Sequence, residues 1–109
     1  MNMAGAREQT ILSELRQGLA QRLGERFVAA YLFGSRARGE ARPDSDLDVL
    51  VVVRGNVDYG ELIARTSELV SALSLKHDVV ISRVFVSQDR FERESSPFLM
   101  NVRREAVPV

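Results

Sequence analysis

Apolar residues recur at helical spacing near the start of the chain, at Ile11, Leu12, Leu15, Leu19 and Leu23, and predict an amphipathic helix from Arg7 to about Leu23 with a charged outer face and Gly24 as its stop. The period then changes. Phe27 to Phe33 and Leu47 to Val53 are almost unbroken apolar runs, the second strongly β-branched, and both read as buried strands. Arg54-Gly55-Asn56 is a turn, and Asp58 caps a helix running to about Ser74 with Leu62, Ile63, Leu69, Val70 and Leu73 as its buried stripe. A third strand is expected from about Asp78 to Val86. A helix between two strands of one sheet is a crossover, so this strand should lie parallel to the second and start at the same end. Ser87 caps a short charged helix over Gln88 to Glu94, and Ser96-Pro97 opens a last helix with Phe98, Leu99 and Val102 on its apolar side. Met1 to Ala6 carry no pattern and are expected to be frayed. The order describes one α/β (α+β) domain over 1–109, a small mixed sheet of three main strands with helices packed mainly on one face.

The chemistry is concentrated in the loop between the first two strands. Asp46 and Asp48 open the second strand two residues apart, so they project to the same side, ahead of Leu50 and Val52. Two carboxylates so placed repel unless a cation sits between them, and Mg²⁺ is typically held by one or two carboxylates together with substrate phosphates. Gly34-Ser35 follows the first strand, at a turn where backbone N–H groups can approach an anion closely. Ser35 to Ala41 fits one or two helical turns. Pro43 and Asp44-Ser45 return the chain antiparallel, which sets the carboxylates beside Gly34-Ser35. Arg36, Arg38 and Arg42 add positive charge that complements a triphosphate, Arg38 foremost, against the plain alternative of a solvated basic loop. Either motif alone is ordinary turn or strand-entry chemistry. Together they point to phosphoryl or nucleotidyl transfer. The predicted crossover also brings Asp78 towards the pair, where two-metal transfer enzymes use a third carboxylate. His77 reads as an exposed residue before the strand. Arg83, which interrupts the third apolar run, belongs either at a sheet edge or on the active-site face.

Fifteen basic and fifteen acidic residues cancel, which argues against an electrostatic grip on nucleic acid or an anionic membrane. Without cysteine there are no disulfides and no thiolate metal sites. No segment reads as a signal peptide or a membrane span, so a soluble cytoplasmic protein is expected. Phe91, Phe98, Leu99 and Met100 exceed what a local core needs, and a partly exposed patch there would mark a protein partner.

Gly34-Ser35, ten intervening residues and Asp46-Leu47-Asp48 resemble the signature of the DNA polymerase beta-like nucleotidyltransferase superfamily. The fuller string GSRARGEARPDSDLD resembles its smallest branch, the minimal nucleotidyltransferases, antitoxins paired with HEPN-domain toxins. The resemblance implies the nucleotidyltransferase fold, with ATP as substrate and two Mg²⁺ ions. It implies Asp46, Asp48 and Asp78 as metal-binding catalytic acids, and Gly34, Ser35, Arg36 and Arg38 at the phosphates. It further implies AMPylation of a HEPN ribonuclease toxin. A binding module that silences its partner by association is one alternative. A nucleotidyltransferase subunit acting on a small molecule or a nucleic-acid end is another. A homo- or hetero-oligomer is a further expectation.

Overall fold

A computed structural model of the chain describes residues 5–39 and 46–109. Most of the Met1 to Ala6 opening, and the expected turn at Pro43 to Ser45 with Arg42 before it, lie outside the described residues. Helix α1 (Ala6–Leu23) leads through a 3-10 turn (Gly24–Arg26) into strand β1 (Phe27–Phe33). After the loop come β2 (Leu47–Val53), α2 (Tyr59–His77), β3 (Ile81–Ser87), α3 (Gln88–Arg93), α4 (Pro97–Glu105) and β4 (Val107–Pro108). The caps are those the sequence offered: Asp58 accepts from the Glu61 N–H, Ser87 from Arg90 and Ser96 from Leu99.

The sheet order is β3-β2-β1-β4. β1 and β2 are antiparallel, and β3 lies parallel to β2 as a crossover through α2 requires. The fourth strand was not expected. It pairs Val107 and Pro108 with Leu32 and Tyr31, and two residues, one of them proline, carry no readable period.

Alternate residues of β2 enter two separate cores. Leu47, Val49, Val51 and Val53 face α1 and α2, where they meet Ile11, Leu15, Leu19 and Leu62. Leu50 and Val52 face the other way, against Val86 and the α4 residues Leu99 and Val102. The two long helices therefore cover one face, as expected, while short α3 and α4 cover part of the second. Asp46 and Asp48 share the second face with Leu50 and Val52.

The third strand begins at Ile81, later than the sequence indicated. α2 continues to His77, and Asp78 caps it in the left-handed conformation (φ 52°, ψ 55°). The N–H groups of Asp78 and Val79 both return to the Ser74 carbonyl, which satisfies the last helical turn before the chain extends.

Candidate active site

The site is built where β1 ends and β2 begins. The ladder sets Phe33, the last residue of β1, beside Asp48. Gly34 follows with φ +78°, a conformation that L side chains rarely adopt, and there is no room for one: a Cβ at Gly34 would lie 2.6 Å from Asp48 Oδ2. The glycine thus lets the turn backbone press against the carboxylate. Ser35 opens a tight turn through Gly39, closed by hydrogen bonds from the Arg38 N–H to the Gly34 carbonyl and from the Gly39 N–H to the Arg36 carbonyl, both 3.3 Å. The first N–H groups of such a turn find no acceptor within it.

Asp46 is exposed and Asp48 half-buried. Burial, and then the Asp46 charge, pushes the Asp48 carboxyl above the usual carboxylate range. Among the described residues neither acid has an ion-pair or hydrogen-bond partner. Two adjacent oxygen donors, one of them disfavoured as an anion by its surroundings, fit a hard divalent cation.

The predicted arginines divide. Arg36 turns away to α1, where its Nη1 donates to Glu8 Oε2 at 2.6 Å with both side chains nearly buried. This bond braces the loop against α1, which is a different task from the phosphate contact expected of Arg36. Arg38 stays on the open side, 3.6 Å from Glu105 of α4. It lines a cleft of about 200 Å³ between Gly34 and α4, together with Phe33, Phe98, Asn101 and Glu105. Phe98, Asn101 and Glu105 are spaced three and four apart. That spacing marks them as one helix face, the signal by which this wall was available in the sequence.

Asp78 is not gathered in. Its position at the α2 cap leaves it exposed, its carbonyl near Arg7 of α1, and β3 starts three residues later. Among the described residues no group of three His, Cys, Asp or Glu side chains is placed to hold an ion, so the expected trio of Asp46, Asp48 and Asp78 is not assembled. The residue of β3 beside Asp48 is Ser82. His77 is partly buried, its Nε2 2.9 Å from Glu14 Oε1, and ties α2 to α1. Arg83 sits on edge strand β3 with its guanidinium turned to α2, reaching Thr66 Oγ1 (2.7 Å), the Ile63 carbonyl (3.1 Å) and Ser67 Oγ (3.2 Å). That is the face opposite the carboxylates.

A family model described as a nucleotidyltransferase domain matches residues 12–105. A Methanocaldococcus jannaschii protein named "Putative protein adenylyltransferase MJ0604" is 33% identical over 99 residues, 90% of this chain and 93% of that one. Among solved structures, one described as a "putative minimal nucleotidyltransferase" superposes with a TM-score of 0.58 at 30% identity, covering 100% of this chain and 97% of the other. A toxin-antitoxin crystal structure with AMP-PNP superposes with a TM-score of 0.61 at 20% identity, over 88% of this chain and 69% of the other, and shares the fold.

Proposed function

The chain belongs to the nucleotidyltransferase domain family, and from that premise we propose that it transfers AMP from ATP to a hydroxyl on a partner protein, with Mg²⁺ held by Asp46 and Asp48. The partner on this reading is a HEPN-type toxin, which the modification silences. One observation carries the proposal: the close approach of the Gly34 backbone to Asp48, which supports reading the turn as the seat of the phosphates and the two aspartates beside it as the seat of the metal. Bound there, the ion supplies charge neutralisation at the α-phosphate and the departing pyrophosphate.

The residues of the chain do the rest. Gly34 and Ser35 offer backbone N–H groups and a hydroxyl to the β- and γ-phosphates, and Arg38 leaves Glu105 for the more highly charged ligand. The acceptor oxygen bonds to the α-phosphorus as the bond from that phosphorus to pyrophosphate breaks, and the acceptor loses its proton. Fixed donors around the phosphates stabilise the charge that develops, where most of the rate of such sites originates. The name of the M. jannaschii relative supports a protein acceptor, and the toxin-antitoxin neighbours support a toxin as that acceptor. Zero net charge gives no purchase on a nucleic-acid acceptor.

The test is incubation of the purified chain with Mg²⁺ and each labelled nucleoside triphosphate in host lysate. A protease-sensitive band that needs ATP and vanishes in Asp46→Asn is the expected result. Label on tRNA or an aminoglycoside would instead move the acceptor to another class. If Asp46→Asn with Asp48→Asn still silenced the partner, association alone would be the mechanism.

A further inference from the structure

β2 has two neighbours, and each sets one residue beside Asp48: Phe33 from β1 and Ser82 from β3. Alternation along β3 puts Val84 and Val86 on the α4 face, where they pack with Leu50 and Val52. Ser82 therefore emerges on the same face as Asp48, one strand spacing away, about 5 Å. It is exposed, and among the described residues its hydroxyl has no hydrogen-bond partner. One step towards the mouth of the sheet, Val80 is apolar and 60% exposed and offers no ligand. The polar side chain that β3 presents to the carboxylate pair is thus a neutral hydroxyl.

We infer that Ser82 is the residue through which β3 acts on the transfer, orienting the acceptor hydroxyl beside the two aspartates, and that this chain holds one divalent ion where a third carboxylate at the same place would hold two. The inference rests on the nucleotidyl-transfer reading above. Ser82 accepts a hydrogen bond from the acceptor O–H and so directs a lone pair of that oxygen at the α-phosphorus. The new O–P bond forms as the P–O bond to pyrophosphate breaks, and the proton passes to solvent water, since a serine hydroxyl is too weak a base to keep it. A carboxylate at position 82 would add a third negative charge within about 5 Å of Asp48 and with it a seat for a second cation.

The experiment counts ions. The full chain is titrated with Mn²⁺ in the presence of a non-hydrolysable ATP analogue, and bound metal is read by electron paramagnetic resonance. Wild type should bind one Mn²⁺ per chain in the ternary complex, and Ser82→Asp should bind two. Ser82→Ala should keep the single ion while its labelling rate in lysate falls about tenfold with KM for ATP unchanged, and Ser82→Thr should restore that rate. Two ions in wild type, or an undiminished rate in Ser82→Ala, would overturn the assignment and leave nucleotidyl transfer standing. Failure of wild type to bind any Mn²⁺ through Asp46 and Asp48, judged against Asp46→Asn, would overturn the transfer reading itself.

Discussion

At Asp48, burial and the neighbouring Asp46 both favour the protonated acid, and the closeness of Gly34 keeps the side chain in place. An acid whose folded pKa lies above its unfolded value stabilises the fold at low pH, and that contribution is lost as pH rises through the folded pKa. Near neutrality, without metal, the ionised Asp48 is therefore a liability. Asp48→Asn is expected to raise the metal-free melting temperature at pH 7, by at most a few degrees because the group is partly solvated and screened, while lowering AMP transfer by about 10²-fold or more. Calorimetry at pH 7 and pH 4 checks the sign, since the advantage of the asparagine should shrink in acid. Gly34→Ala attacks the same contact from the other side. It forces a left-handed conformation on a side-chain residue and drives a Cβ into Asp48, so it should cost about 1 kcal/mol or more of stability and abolish labelling.

At the scale of elements, contacts between helices and strands explain both what holds and what moved. Gly18 of α1 faces Leu69 of α2 so closely that a Cβ would lie 2.3 Å from Leu69 Cδ1. Gly18→Ala gains up to about 1 kcal/mol of helix propensity but overpacks the seam by about 1–3 kcal/mol, so urea denaturation should show a net loss. At the α3–α4 junction the Glu94 carboxylate takes two hydrogen bonds from Arg90, at 2.7 and 2.8 Å, and these together with Ser96 hold its pKa down to about 2. That stabilisation is fully present above the unfolded carboxylate value and is lost as pH falls towards 2. The stability difference between wild type and Glu94→Gln should accordingly be flat from neutrality to about pH 5 and vanish in stronger acid. The same contacts mark the limit of the sequence as a guide. The unbroken apolar runs of the strands, the period-3.6 stripes of the helices, the three caps and the pair at Asp46 and Asp48 are local, and each is legible one element at a time. The place of Ser82 beside Asp48 is not, because it depends on where α2 stops and in what register β3 docks, which the Asp78 cap and the β2 ladder set. Arg36 hides its task for a related reason: Glu8, its partner, lies on another element and no periodicity connects the two.

For the molecule as a whole, one sheet joins two packed layers and leaves the mouth of its α3 and α4 face to the carboxylates. A ligand that bridges the Gly34 turn and Asp48 ties β1 to β2 and should stabilise the entire fold. At a hundred times its Kd, Mg²⁺-ATP is expected to add about 2.7 kcal/mol, on the order of 10 °C in melting temperature, and Asp46→Asn with Asp48→Asn should lose that shift. Among the described residues no helix is long and apolar enough to cross a membrane. Phe98 and Met100 stand about half exposed on α4, beside the cleft that Phe98 lines. The division of β2 between two cores has an evolutionary consequence. Leu47, Val49, Leu50 and Val51 are each completely buried, and a one-residue slip of this strand would exchange its two faces and turn the Asp48 carboxylate into the apolar core under α1 and α2. The placement of the aspartates is thus guarded by selection for folding, even in a lineage that no longer uses them. Their identity has no such protection, because replacing Asp48 relieves an unfavourable charge. Descent from this fold can therefore shed the chemistry in one thermodynamically downhill step and keep the scaffold, and stable, silent copies of such a protein are the natural by-product of its own architecture.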